Sequence, residues 1–76
     1  MNIQITYCTE GDYYPQASSL QAAIKKEFGI TASLQGGHSG VFDVVLDGTR
    51  IYSKDETYRF PTNEEIFSGI RKHQKA

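Results

Sequence analysis

The fold is decided by residues 3–28, which read IQITYCTEGDYYPQASSLQAAIKKEF. At the start of this stretch apolar Ile3, Ile5 and Tyr7 alternate with polar residues, and a period of two predicts a strand over residues 2–7. The period then changes, because apolar residues recur every three or four positions. That spacing predicts a helix from about Tyr13 to Phe28 with one buried stripe. The stripe comprises Ala17, Leu20, Ile24 and Phe28.

The single cysteine of the chain, Cys8, falls where the predicted strand meets the predicted helix. Backbone N–H groups and the dipole at a helix N-terminus favour a thiolate, so Cys8 is a candidate nucleophile. Glu10 and Asp12 oppose this by like-charge repulsion. A redox dithiol would place a second cysteine or selenocysteine at position 11, where this chain has Gly11. Two alternatives stay open: Cys8 as a small buried apolar residue, and Gly11 as a source of an unusual backbone dihedral.

The rest of the chain predicts three more strands and a second helix. Ile30 to Leu34 alternate as a strand, residues 35–40 form a flexible glycine-rich crossing, and Val41 to Leu46 read as a central strand covered on both sides. Asp47-Gly48 predicts a hairpin with a partner strand over residues 49–53. A capping box, Thr62 to Glu65, opens a helix that buries Ile66, Phe67 and Ile70 and frays from Arg71 onward. Gly29 is predicted to end the first helix.

This order predicts an α/β fold of the α+β sandwich type, with a four-stranded mixed sheet. A right-handed crossover makes the first two strands parallel, and the hairpin makes the last two antiparallel. If the third strand runs against the first, the loops 8–13, 35–40 and 54–61 gather at one end of the sheet. We call this end the Cys8 rim.

Four aromatic side chains and one histidine are expected at the Cys8 rim. Exposed aromatic groups around a thiol indicate a surface that binds protein partners. They are Tyr13, Tyr14, Tyr58 and Phe60. The alternative is that they fill a small core, and for Phe60 this is the better interpretation. His38 is a candidate base or cation beside Cys8, against the alternative of an exposed loop histidine.

Composition limits the classes of function. Seventy-six residues make one domain with a thin core. A net charge of −1 gives no reason to expect nucleic acid or an anionic membrane. No apolar run approaches the roughly 20 residues of a membrane span, and the first residues do not resemble a signal peptide. One cysteine cannot form an internal disulfide, so a cytoplasmic location is expected. No bound cofactor is expected, and Cys8, His38 and His73 lack the spacing of a zinc site.

Several segments together resemble the selenoprotein W-like Rdx family. They are residues 5–17, residues 40–48, residues 51–54 and Phe60-Pro61, in matching order and spacing. The resemblance implies a thioredoxin-like fold and thiol redox chemistry coupled to glutathione or to thiols of client proteins. Members of the family carry Cys-x-x-Cys or Cys-x-x-selenocysteine at this turn. Cys8 matches the first position and Gly11 departs at the second, so only Cys8 carries over as a nucleophile.

Two hypotheses of function follow. In the first, the chain is a small thiol protein in which Cys8 forms a mixed disulfide with glutathione or a client, as a monothiol oxidoreductase or a slow sensor. In the second, it is a non-catalytic interaction module that kept the fold, lost the dithiol chemistry and binds partners through the aromatic rim. A third, minor possibility is that Gly11 was introduced in place of a native cysteine or selenocysteine.

Overall fold

The structure, a computed structural model, describes residues 1–75 as strands and helices in the predicted order, with one short helix added. The elements are β1 (Ile3–Cys8), α1 (Tyr13–Phe28), β2 (Ser33–Gly37), β3 (Phe42–Leu46), β4 (Thr49–Ser53), α2 (Lys54–Thr57) and α3 (Asn63–Lys75). In residues 1–75, no helix combines the length and apolar character needed to cross a membrane.

The four strands form one mixed sheet in the order β2-β1-β3-β4. β1 runs parallel to β2, with Cys8 opposite Gly37, and antiparallel to β3, with Tyr7 opposite Phe42. β3 and β4 are antiparallel, with a bulge at Ile51. The predicted fold class and strand directions are therefore confirmed, and the carboxyl ends of β1 and β2 lie at the same end of the sheet.

The core lies between one face of this sheet and the helices α1 and α3, which also contact each other. Every second residue of β1 and β3 points to this face, because side chains alternate along a strand. These residues pack against the apolar stripes of both helices, which repeat every 3.6 residues. The buried cluster contains Ile3, Ile5, Ala17, Leu20, Ile24, Ala32, Phe42, Val44, Leu46, Tyr52, Ile66, Phe67 and Ile70. All the positions predicted for the stripes of the two helices are in it or, like Phe28, packed against it.

The prediction that β3 is covered on both sides is wrong. Burial alternates along the strand, with Asp43 and Val45 only half-buried between fully buried neighbours. The reason is that α1 and α3 share one face of the sheet, so the second face carries the polar row that Asp43 belongs to. A nearly continuous apolar run does not require two covered faces here, because Val45 only adds one apolar side chain to the open face.

The second strand begins later than predicted and absorbs half of the expected flexible crossing. Ile30 to Ala32 precede β2, where the Gln21 side chain of α1 donates a hydrogen bond to the Ala32 carbonyl at 2.7 Å. Gly36 and Gly37 are part of the strand, and their lack of a side chain allows neighbouring side chains to lie close to the backbone. A Cβ placed on Gly37 would lie 2.8 Å from methyl carbons of both Thr6 and Val41. These glycines therefore serve packing, and the predicted crossing shortens to residues 38–41.

The predicted helix and turn signals are confirmed where they rest on backbone chemistry. Gly29 ends α1 with φ of 73° and donates its N–H to the Lys25 carbonyl at 2.9 Å. Asp47 and Gly48 both have positive φ, 48° and 85°, as a tight hairpin requires. Thr62 and Glu65 form the reciprocal capping box, with N–H to side-chain oxygen distances of 3.2 and 2.9 Å.

The C-terminal helix does not fray at Arg71. α3 continues to Lys75, because side chains of its last two turns bind other elements. Arg71 donates to Glu27 of α1 at 3.0 Å, and the Nε2 atom of His73 lies 2.9 Å from a carboxylate oxygen of Asp47 in the hairpin. The short helix α2, which falls in the predicted loop 54–61, was also missed.

Candidate functional site

Cys8 is the last residue of β1 and is held on both its backbone and its sulfur. Its N–H donates to the Val41 carbonyl at 2.8 Å, and its Sγ atom accepts a hydrogen bond from the Glu10 N–H at 3.4 Å. The second contact comes from the turn that leads into α1, as the predicted placement requires. The sulfur is therefore tied to the turn between β1 and α1.

The thiol is nevertheless buried, with 4% of the residue exposed. Because side chains alternate along β1, Cys8 belongs to the face opposite Ile5, beside Thr6 and next to Gly37 on the neighbouring strand. Methyl groups of Thr6 and Val41 close over Gly37. With 4% of the residue exposed, the thiol has little direct contact with solvent.

Gly11, at the position of the missing partner thiol, is required by the backbone. Its φ of 74° lies in the left-handed region that residues with a Cβ rarely adopt. Space is not the constraint, since the nearest atom to a Cβ there would be a ring carbon of Tyr13 at 3.9 Å. The turn that enters α1 is therefore shaped around a glycine, which supports the alternative that Gly11 supplies an unusual dihedral.

The three loops of the Cys8 rim do meet at one end of the sheet. The Cys8–Val41 hydrogen bond joins the end of β1 to the end of the second loop, and a bond from the Val41 N–H to the His38 carbonyl at 3.3 Å closes that loop. Phe60, in the third loop, packs its ring against Tyr13 with centroids 5.2 Å apart. His38 itself is exposed, and its Nδ1 atom pairs with the neighbouring Ser39 carbonyl at 3.2 Å. A role for His38 beside the thiol stays a prediction.

The four rim aromatics divide into a packed pair and an exposed pair. Phe60 lies between Tyr13 and Phe42, with both centroid separations 5.2 Å, so it fills the end of the core. Tyr14 is 54% exposed and touches Tyr7 edge-on, and Tyr58 is 86% exposed. The exposed pair is the part of the rim that is free to contact a partner.

The packed pair also carries a cation. The Nζ atom of Lys54, the first residue of α2, lies 5.5 Å from the Tyr13 ring centroid and 5.6 Å from that of Phe60. A lysine over an aromatic face is attracted by the ring quadrupole. Lys54 therefore links the third loop to the start of α1, and no residue spacing in the sequence indicates this contact.

Sequence reasoning also missed the ion pair that fixes the third loop to α3. The Arg59 guanidinium makes two parallel bonds of 2.6 Å to the two carboxylate oxygens of Glu65. The Arg59 guanidinium, together with the Thr62 N–H, lowers the pKa of Glu65 to about 2, and the same carboxylate raises the pKa of Arg59. Glu65 thus caps its own helix and anchors the segment that carries Tyr58 and Phe60.

The fold is of the thioredoxin-like class, a four-stranded mixed sheet with both long helices on one face. The Rdx family profile matches residues 2–72, and the chain belongs to the Rdx family. The confirmed family and the fold together support a redox-type protein.

Two curated relatives have similar sequences. Migration and invasion enhancer 1 of Mus musculus is 27% identical over 73 residues, and its counterpart in Bos taurus is 26% identical over the same length. Each alignment covers 95% of this chain and 64% of the relative. The chain therefore spans less than two thirds of the length of these proteins.

Two solved structures share the fold at low sequence identity. A selenoprotein W-related protein from Vibrio cholerae superposes with a TM-score of 0.87 and 19% identity, over 93% of this chain and 92% of that one. A protein from Bordetella parapertussis superposes with a TM-score of 0.88 and 24% identity, over 95% of each chain. At these identities the likeness concerns the arrangement of strands and helices.

Proposed function

We propose that the chain is a monothiol redox protein in which Cys8 forms a mixed disulfide with glutathione or with a thiol of a client protein. The observation that supports this is the hydrogen bond from the Glu10 N–H to the Cys8 sulfur, at the turn where the family carries its redox motif. Cys8 has no second cysteine to pair with. The cycle therefore runs through an external thiol.

The proposed chemistry is thiol–disulfide exchange in two steps. The Cys8 thiolate attacks one sulfur of glutathione disulfide, so that a Cys8–glutathione bond forms and one glutathione thiolate leaves. A second glutathione thiolate then attacks the glutathione sulfur of this adduct, which regenerates the Cys8 thiolate and releases glutathione disulfide. Without a resolving thiol at position 11 the second step lacks the high effective concentration of an intramolecular attack. A reducing cytoplasm, the compartment we propose, would supply the glutathione.

Burial of the thiol sets the expected speed. Since the residue is 4% exposed, exchange proceeds through a transient opening of the packing around Cys8. A turn of this kind is open for only a small fraction of the time. The observed rate of thiol exchange is the rate for a fully accessible thiol multiplied by that fraction. The protein is accordingly proposed as a slow redox sensor or monothiol carrier, and a fast disulfide reductase is a poor fit.

The test is incubation of the chain with glutathione disulfide followed by intact mass spectrometry. We expect the mass of one glutathione to be added, and subsequent addition of reduced glutathione to remove it. Cys8→Ser is the matched control, because it replaces only the sulfur, and it should take up no glutathione. A wild-type protein that stays unmodified under mild oxidation would contradict the proposal.

A second candidate function is supported by the exposed aromatic pair. Tyr14 and Tyr58 present large apolar surfaces at the rim, where a non-catalytic module would bind a protein partner. In a binding assay with a captured partner, Tyr14→Ala and Tyr58→Ala would weaken an interaction of this kind, and Cys8→Ser would leave it unchanged. Tyr13 is unsuitable for this comparison, because its ring packs against Phe60 and a truncation would disturb the fold.

A further inference from the structure

The two edges of the sheet are built differently. The β4 edge carries exposed Arg50, is interrupted by the bulge at Ile51, and runs directly into the helix α2 after Ser53. Charge, bulges and covering elements are the usual means by which proteins prevent an edge strand from pairing with another chain. The β4 edge therefore has three such protections.

The β2 edge has none of them. β2 pairs regularly with β1 over Ser33–Gly37, without a bulge and without a proline. The side chain of α1 that reaches this part of the chain, Gln21, bonds to Ala32, just before the strand begins. Ser33, Gln35 and Gly36 are exposed, and Leu34 is half-buried. β2 is an edge strand, so within residues 1–75 the main-chain groups on its outer side have no strand partner, and the Gln35 side chain donates a hydrogen bond to the Gly36 carbonyl at 3.3 Å.

The strand and its connections contain no Lys, Arg, Asp or Glu. All seventeen of these charged side chains, eight basic and nine acidic, lie outside residues 28–42. By contrast, β4 contains Arg50 and is followed by Lys54. A strand that paired with β2 would therefore meet no lysine, arginine or carboxylate side chain of β2 itself.

We propose that the β2 edge is an interface with a second copy of this chain, which adds its own β2 in the antiparallel direction. A second copy is the partner best matched to this edge, because it brings an equally uncharged strand, and the net charge of −1 produces little repulsion between copies. Two identical antiparallel strands are related by a two-fold axis, which is the commonest symmetry of protein dimers. The two four-stranded sheets would become one sheet of eight strands.

The symmetry places a particular residue at the centre. Gln35 is the middle residue of Ser33–Gly37, so the pairing that uses the whole strand puts Gln35 opposite Gln35 of the other copy. The side chain of Gln35 is exposed on the open face of the sheet, away from both long helices. A substitution there changes the contact between copies and leaves the core of each copy intact. This inference is independent of the thiol chemistry proposed above.

Sedimentation equilibrium of the full chain under reducing conditions tests this, from about 1 μM to about 1 mM, a range that spans weak and moderate affinities. The average mass should rise with concentration from 8.5 kDa towards twice that value. Gln35→Lys should weaken the association at least about tenfold, because it places two lysines opposite each other. Gln4→Lys is the matched control: the residue is exposed on the same face but belongs to the central strand β1, so its association should equal that of the wild type.

A charge exchange makes the test independent of effects on folding. Gln35→Glu alone should weaken the association as Gln35→Lys does. An equimolar mixture of Gln35→Lys and Gln35→Glu should associate again, because opposite charges then face each other. A wild type that stays monomeric at about 1 mM would overturn the proposal and leave this edge to a strand of another protein. Equal weakening by Gln4→Lys and Gln35→Lys, or a mixture that stays monomeric, would overturn it as well.

Discussion

At the scale of single residues, the geometry at positions 8 and 11 defines what the site can do. The Cys8 sulfur receives a hydrogen bond from the Glu10 N–H and is at the same time almost fully buried. Gly11 occupies a left-handed conformation three residues later. The proposed slow exchange with an external thiol rests on these features: a donor to the sulfur, limited access and no second cysteine.

The backbone at position 11 yields a stability prediction. Gly11→Ala should lower the free energy of unfolding by about 1 kcal/mol, because a Cβ in the left-handed region is strained. Gly11→Asn should lose less, since asparagine adopts this conformation more readily. Urea denaturation of the three proteins measures the difference. Equal stability of Gly11→Ala and the wild type would show that the turn does not require a glycine.

At the scale of elements, the contact between β4 and α3 explains a glycine in the middle of a helix. A Cβ on Gly69 would lie 2.8 Å from the Cδ1 atom of Ile51, the residue at the bulge of β4. Glycine costs a helix interior about 1 kcal/mol relative to alanine. Glycine at position 69 therefore lets β4 approach α3 closely, and this packing offsets the lower helix propensity of glycine.

A double-mutant cycle tests this contact. Ile51→Val removes the Cδ1 atom that a Cβ at position 69 would meet. The change in the free energy of unfolding caused by Gly69→Ala should therefore be more favourable by about 0.5–1 kcal/mol in the Ile51→Val background than in the wild type. Thermal or urea unfolding of the four proteins gives the coupling energy. Additive effects of the two substitutions would indicate that Ile51 does not limit residue 69.

The ion pair between the third rim loop and α3 predicts a dependence of stability on pH. The folded-state pKa of Glu65 is lowered from 4.5 to about 2 by Arg59 and the Thr62 N–H, so the folded state favours the carboxylate. A lowered pKa adds stability that is fully present above pH 4.5 and is lost as the pH falls towards 2.

The measurement is the midpoint of urea unfolding between pH 7 and pH 2. Between pH 4.5 and 2 the wild type should lose more stability than Glu65→Gln, which lacks the titrating group. Glu64→Gln is the control, because it removes a neighbouring charge from the same turn of α3 and leaves the pair with Arg59 in place. Parallel curves for the wild type and Glu65→Gln would rule out this contribution.

At the scale of the whole molecule, a small core must hold the sheet on the helices. A domain of this size is stabilised by roughly 4–11 kcal/mol in total. Ile5 is fully buried at the centre of the sheet, so Ile5→Ala should cost about 2–5 kcal/mol. Thermal unfolding followed by circular dichroism should show a clearly lower Tm for Ile5→Ala, and a Tm equal to that of the wild type would show that Ile5 is not part of the core.

The sequence predicted those parts of this arrangement that rest on local chemistry. The limits of α1, the Asp47-Gly48 hairpin and the Thr62–Glu65 capping box follow from periodicity, positive-φ residues and reciprocal hydrogen bonds between near neighbours. The position of Cys8 at the turn into α1 was predicted for the same reason. Each of these signals is contained within a few consecutive residues.

The features that were missed depend on distant contacts. The one-sided covering of β3 is set by α1 and α3 sharing a face, and the order in α3 beyond Arg71 depends on Glu27 and Asp47. Cys8 is buried where β1 meets Gly37 of β2 and the backbone of Val41, both distant in the chain. Periodicity does not report such contacts, because they join residues far apart in the chain.

The central claim is that the buried Cys8 thiol of the folded protein exchanges with glutathione. The most direct measurement is the rate of glutathione adduct formation, followed by intact mass, for the native protein and for the same protein unfolded in urea. We predict complete modification in both. The rate for the native protein should equal the rate for the unfolded protein multiplied by the fraction of time that the site is open. Modification of the unfolded chain together with a native protein that remains unmodified would contradict the claim.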